Sequence, residues 1–277
     1  MTLIRALHRP EDPFRDFCQW DYDPVSVPTA RTIQQSSLLV HSLSLVPEGG
    51  AIGEIFGRIR DYWGAFNTVW GIKSAKGALS WELYFYDYAR CDRRLGIRSL
   101  HECLPELIAP DLMAADSWPW FMFSVEFDAR ALQGISSVDL YFEADGGSIS
   151  AGLSEVWDGH QRRPKNDYRF YRSAADRADI LRDLDDLPPL PNPLAPGRYD
   201  EEVFVISRKS HSSAVYFSRV GVEQTLRFAM DTDFSTDLTE ALKTDAALLA
   251  PYRFDLGVDY EPRNGGLIRR SAIYGVV

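Results

Sequence analysis

The sequence predicts an α+β fold: about ten mostly antiparallel strands in repeated ββ(β)α units, forming a strongly curved sheet or barrel with helices packed on one face. Three observations predict it. A strand-like motif recurs as Ser80-Trp-Glu-Leu-Tyr84-Phe85, Ser137-Val-Asp-Leu-Tyr141-Phe142 and Ser212-Ser-Ala-Val-Tyr216-Phe217, with a fainter copy at Arg270-Ser-Ala-Ile-Tyr274-Gly275. The three full copies split alike under the two-residue period of a strand, into an apolar face and a polar face with tyrosine at the same place. Short turns join strand-like runs as hairpins, which implies antiparallel pairing, and amphipathic stretches separate the groups.

In the first copy Trp81, Leu83 and Phe85 share one face, opposite Ser80, Glu82, Tyr84 and Tyr86. In the second, Val138, Leu140 and Phe142 oppose Asp139, Tyr141 and Glu143. A slip of one residue would exchange the faces, so the shared register predicts one consistently buried side. The tyrosine side then faces open water or the lumen of a closed sheet.

Residues 1–50 read as an N-terminal arm packed on the body, rich in Pro, Asp and aromatics up to residue 35. Ser36 to Val46 is expected as a first strand or extended segment, broken at Pro47-Glu-Gly-Gly. Residues 51–277 read as a single α+β domain. A helix over 51–66 follows from Ile52, Ile55, Phe56, Ile59, Tyr62, Trp63 and Phe66, spaced as a wide apolar stripe. Asn67 to Tyr88 is a hairpin about a Lys/Gly turn. Ser99 and Glu102 form a capping-box pattern for a short helix that meets Pro105.

Strands are expected over 118–128, 135–142 and 149–157, the last pair turning at Asp145-Gly-Gly. The polar segment 158–172 reads as a loop. A helix over 173–187 would turn Ala174, Ala178, Leu181 and Leu184 inward. The prolines of 188–196 exclude helix and ladder, and make that segment a connector within one sheet system. Strands over 202–209, 212–220 and 224–231, a helix over 237–249 capped by Thr236 or Asp237, and strands over 252–260 and 267–277 about an Asn264-Gly-Gly turn complete the chain.

Composition narrows the function classes. Hydrophobic content of 45% and charged content of 25% are those of a soluble globular protein. No run approaches the ~18–20 apolar residues of a membrane span, and the N-terminus lacks a secretory apolar stretch. Cys18, Cys91 and Cys103 are unevenly spaced without Cys-x-x-Cys, which argues against a disulfide framework or structural zinc and favours the reducing cytoplasm. A net charge of −10 argues against nucleic acid and suits a cationic or neutral ligand.

The familiar chemical motifs fail. Gly71-Ile-Lys-Ser-Ala-Lys-Gly77 lacks the Gly-Lys-Ser/Thr ending and following helix of a phosphate loop, and reads as a hairpin turn. Asp183-Leu-Asp-Asp186 reads as a solvated helix end, and Asp231-Thr-Asp233 as a strand-end turn. The five histidines show no metal-ligand spacing, and no Gly-x-Ser-x-Gly elbow occurs. Neither a metal nor a cofactor is expected.

Two functions follow from the tyrosine face. If it is an open groove lined by Glu82, Tyr84, Tyr86, Asp139, Tyr141, Tyr216 and Tyr274, the chain is a non-catalytic accessory protein binding a peptide or small ligand, placed in a bacterial biosynthetic pathway. An unpaired edge strand would add an extended peptide, and exposed edges favour a homodimer. If the sheet closes, ten strands in hairpin-plus-helix units over residues 50–277 resemble the barrel of the ABBA-type aromatic prenyltransferases, an architectural likeness without a shared signature motif. That resemblance implies a lumen in which Tyr84, Tyr141, Tyr216 and Tyr274 shield an allyl cation. It also implies basic residues on a diphosphate, with Arg227, Arg253 and Arg270 as candidates, and Glu82, Asp139, Glu143, Asp231 and Asp255 nearby.

Overall fold

In the computed structural model the described residues are 33–64, 67–86, 95–144, 151–187, 189–191, 194–209, 212–261 and 267–276. Ten strands form a closed barrel in which every neighbour is antiparallel. They are β1 (Thr68–Ala75), β2 (Ala78–Tyr86), β3 (Met122–Phe127), β4 (Val138–Glu143), β5 (Ala151–Trp157), β6 (Arg162–Arg172), β7 (Val203–Lys209), β8 (Ser213–Val220), β9 (Phe254–Glu261) and β10 (Leu267–Val276). Each pairs with its neighbour in sequence, and β10 closes on β1 through Val69↔Val276 to Ser74↔Ser271.

Parity makes the wall two-sided. Trp81, Leu83 and Phe85 of β2 and Phe123, Val125 and Phe127 of β3 are buried on the outside, under helices. The helices are α1 (Ser36–Leu43), α2 (Gly49–Trp63), α3 (Ile97–Cys103), α4 (Arg177–Asp185), α5 (Val222–Asp231) and α6 (Thr236–Leu249). Phe56 of α2 meets Phe127 edge-on with centroids 5.0 Å apart, and Trp63 meets Phe85 at 4.9 Å. Around α5, Tyr199 packs on Phe217 and Phe228 at 4.9 and 5.5 Å. The hydrophobic core is therefore a sleeve between barrel and helices, each fully buried side chain worth about 1.5–3 kcal/mol. The interior is left to other residues.

The β1–β2 turn is as read: Lys76 and Gly77 both have positive φ, 52° and 81°, the pair a tight hairpin needs. Several expectations fail. Residues 36–43 are α1, not a strand, because Leu38, Leu39 and Leu43 are all buried on one side of a short helix. Tyr62 leaves the α2 stripe; it is 43% exposed and donates to Glu102 Oε2 at 3.0 Å. The segment expected as strand 224–231 is helix α5. In α4 it is Ile180 and Asp183 that are buried, while Leu181 is exposed. Helix α6 is capped by Ser235, whose side chain accepts from the Leu238 amide. The polar segment 158–172 is mostly strand, β6.

Residues on either side of the proline segment 188–196 belong to the same barrel, since β6 pairs with β7. The expected arm over 1–32, Phe66 and the turns at 145–147 and 264–266 lie outside the described residues. Among those described, no helix is long and apolar enough to cross a membrane.

Candidate functional site

The lumen is built by an alternation of large and small residues around the wall. Every even-numbered strand contributes one tyrosine: Tyr84 (β2), Tyr141 (β4), Tyr168 (β6), Tyr216 (β8) and Tyr274 (β10). Their ring centroids follow one another around the lumen at 6.0, 6.1, 6.3, 6.5 and 5.7 Å, closing a belt of five. The strands between offer small residues in register. Gly71 pairs with Tyr274 and Gly257 with Tyr216. A Cβ on Gly71 would stand 2.6 Å from the Tyr274 ring, and one on Gly257 would stand 2.7 Å from Tyr216. Alternating size is how a small barrel fits its side chains into a narrow interior.

The belt separates two environments. On one side is a polar cavity of about 380 Å³ lined by Lys73, Glu82, Lys165, Asn166, Lys209, Asp259 and Arg270. On the other is an apolar cavity of about 810 Å³ whose walls include Val69, Tyr86, Met122, Phe142, Leu153, Phe170 and Val205. All five tyrosines line both.

In the polar cavity four cations meet three buried carboxylates. Lys73 Nζ lies 2.5 Å from Glu82 Oε2, with both side chains about 95% buried. Lys165 pairs with Asp139. Asp259 receives Lys209 at 2.6 Å and Arg270 at 2.9 Å, and Arg270 also reaches the more exposed Glu126 at 3.5 Å. Glu82 further accepts from Ser124 and from the Tyr84 hydroxyl, each at 2.6 Å.

Burial opposes ionisation of Glu82, but Lys73, Lys165 and the Ser124 hydrogen bond outweigh it and lower its pKa. Asp259 behaves likewise under Lys209 and Arg270. Burial lowers Lys209, a loss that Asp259 only partly offsets. Lys165 is raised, because Asp139 and Glu82 outweigh its burial. Burial raises all five belt phenols, so they are neutral at physiological pH. Asn166 Oδ1 and Ser207 Oγ are buried without a hydrogen-bond partner. Polar groups of that kind are costly unless something polar meets them.

Of the residues read from the sequence, Glu82, Tyr84, Tyr86, Asp139, Tyr141, Tyr216, Arg270 and Tyr274 are brought together in or against the lumen. Two are not. Arg227 is exposed on α5, since its segment is helix and the strand parity that placed it does not apply. Arg253 precedes β9, and its guanidinium lies beside Gly221 at the start of α5. Asp231 also lies outside, at the end of α5, held by Arg198 and Tyr199. Asp255 does line the lumen, on the apolar side.

Sequence reading missed Lys73, Lys165, Lys209, Asp259 and Tyr168. Lys73 stood inside the rejected phosphate-loop pattern, two residues after Gly71 and so on the same strand face. Lys165 and Tyr168 stood in the segment taken for a loop. Among the described residues no cluster of three His, Cys, Asp or Glu is placed to hold a metal. No family model matches the chain, and no curated protein sequence matches it.

The arrangement can do three things in sequence along its axis. The cations can hold an anionic group, and four of them can exchange their carboxylate partners for phosphate oxygens. The belt can face a cation with five ring systems, each worth about 0.5–2 kcal/mol to a desolvated positive charge. The apolar cavity, of a size ordinary for small-molecule sites, can take a flat hydrophobic partner.

Proposed function

We propose that this barrel transfers an allylic prenyl group from its diphosphate to an aromatic acceptor, as its resemblance to aromatic prenyltransferases implies. The observation that carries this is the belt of five tyrosines set between a cation cluster and an apolar cavity and lining both. Lys73, Lys165, Lys209 and Arg270 take the diphosphate. The bond from the prenyl C1 to the diphosphate oxygen breaks, and its electron pair leaves with the phosphate. The allyl cation is then bounded by phenol faces. An aromatic carbon of the acceptor gives its π electrons to C1, the new carbon–carbon bond forms, and a ring proton passes to the diphosphate.

The raised phenol pKa values support this reading, because a phenolate beside the cation would capture it through oxygen. Capture of a small ligand in the same lumen without turnover is the second reading, and the acidic residues that favoured it are each matched by a cation. Peptide addition to a sheet edge has lost its basis, as has the edge-based case for a homodimer: the barrel closes and leaves no edge. Because a diphosphate does not cross a membrane unaided, the reading carries with it a cytoplasmic location.

Thermal shift with dimethylallyl and geranyl diphosphate, followed by incubation with a panel of phenols and indoles, tests it. A raised melting point and a prenylated product are expected. No shift at millimolar diphosphate would sink the transferase; a shift with no product from any acceptor would leave the binding reading.

A further inference from the structure

Within the apolar cavity one lining residue is a carboxylic acid, Asp255. It comes from the lumen-facing side of β9, opposite Tyr274 of β10. Its contacts are all on one oxygen: Oδ1 accepts from Ser218 Oγ at 2.5 Å and from the Arg219 amide at 2.9 Å. The backbone is bent to supply the second of these. Arg219 has φ of 62° and sits in the register shift between Phe217 and Val220, where β8 departs from its ladder with β9. A non-glycine residue in that region costs of order 1 kcal/mol and persists where the surroundings hold it. Here the side chain is anchored outward, Arg219 Nη1 on Glu202 at 2.9 Å, while the amide points back at Asp255.

The carboxyl is thus fixed in rotation with Oδ1 occupied, in a wall made otherwise of aromatic rings, aliphatic side chains, Gly152 and Ser218. No cation forms an ion pair with it, in contrast to Glu82, Asp139 and Asp259. A group held this way in an apolar site is a hydrogen-bond acceptor waiting for a donor, since an unmatched polar group there is costly.

We infer that Asp255 recognises the acceptor: its carboxylate accepts a hydrogen bond from a phenolic hydroxyl or indole N–H. The substrate class is accordingly a hydroxylated arene or indole, not a plain hydrocarbon ring. As the ring carbon gives its electron pair to the prenyl C1, positive charge spreads onto the donor heteroatom and its proton moves to Asp255. When the ring carbon afterwards loses its own hydrogen to the departed diphosphate, the heteroatom takes the Asp255 proton back and aromaticity returns. The net exchange is one aromatic C–H for one C–C bond, with the proton on diphosphate. This rests on the transferase reading for its chemical step, but recognition of the donor does not.

The test uses the whole chain, 2-naphthol and 2-methoxynaphthalene, and an unreactive thio analogue of dimethylallyl diphosphate, with binding followed by tryptophan fluorescence and calorimetry. Wild type should bind 2-naphthol at least tenfold more tightly than its methyl ether. Asp255→Leu should erase that preference while changing the affinity for the diphosphate analogue by less than twofold. Asp255→Asn, nearly the same shape, guards against a folding defect and should reduce the preference several-fold. In wild type the preference should also fade as pH is lowered through the titration of the carboxyl, which needs no variant.

An equal affinity for the two naphthalenes in wild type overturns the inference, as does a preference that survives Asp255→Leu or no binding of 2-naphthol at millimolar concentration. A protein that ignores the diphosphate analogue but shows the Asp255-dependent preference would refute the transferase and keep the recognition.

Discussion

At the scale of single residues the buried Lys73–Glu82 pair separates function from stability. Both side chains are about 95% buried, so each is held ionised by the other. Breaking such a pair by removing one partner costs about 3–5 kcal/mol, whereas replacing both by apolar residues is often neutral. Glu82→Gln should therefore destabilise the protein by that order, lessened by Glu126, which lies 3.5 Å from Lys73. The double variant Lys73→Met/Glu82→Leu should unfold in urea at nearly the wild-type midpoint yet lose diphosphate-induced stabilisation. If the double variant still responds fully to diphosphate, Lys73 is not a ligand.

The pH dependence follows from the lowered pKa of Glu82. A carboxylate depressed in the folded state contributes stability that is present above its unfolded value of about 4.3 and is lost as pH falls through the folded value. Asp259, also lowered, acts in the same direction from about 3.9 downward. Chemical denaturation of wild type should show stability falling below about pH 4.5, and Glu82→Gln should show a shallower fall. Equal slopes would mean the pair does not titrate as described.

At the scale of elements, the alternation of tyrosine-bearing and small-residue strands is the constraint most open to test. Gly257 lies against two belt rings, with an added Cβ 2.7 Å from Tyr216 and 3.2 Å from Tyr274. Gly257→Ala must push those rings toward the axis, and overpacking of this kind costs typically about 1–3 kcal/mol. The expected outcome is a lower melting point with weakened binding of a prenyl diphosphate. Intact binding would show that the belt has room the distances deny.

The same alternation explains what was legible in the sequence at this scale. The motif copies ending Tyr84, Tyr141 and Tyr216 could be aligned because their outer face is apolar and their inner face polar, which is a clean period of two. Strand β6 carries the same tyrosine but hides it. Its outer face holds Arg163, Asp167 and Arg169, with Arg169 bonded to Asp183 of α4, and its inner face holds Lys165, Asn166 and Tyr168. With no strongly apolar face, the alternation vanishes and a strand reads as a loop. Helix α5 misled in the opposite way, since its short run Thr225 to Ala229 suits either period.

At the scale of the whole molecule, net charge and local field disagree. The chain carries −10, which points away from anionic ligands, yet the lumen gathers four cations against three buried carboxylates. A ligand that binds only the folded barrel stabilises it by mass action, by about 2.7 kcal/mol at a hundred times its dissociation constant. For a chain of this size that is a rise of several degrees in melting temperature. The shift should shrink markedly between low and high salt for a diphosphate and hardly at all for a neutral phenol, because only the former depends on charge. A salt-independent diphosphate shift would place the ligand away from the cations.

The sequence by itself determined the alternation of faces, the antiparallel order and the shared direction of Tyr84, Tyr141, Tyr216 and Tyr274, because these depend on a two-residue period that any extended chain obeys. Only the tertiary structure decided that the sheet closes, that Tyr168 completes the belt, and that Lys73, Lys165, Lys209 and Arg270 converge from β1, β6, β7 and β10. Those residues are up to 197 positions apart, as in Lys73 and Arg270, and no local pattern couples them. Their meeting is set by closure of β10 on β1 and by the register of each ladder, quantities that exist only when the whole wall is assembled.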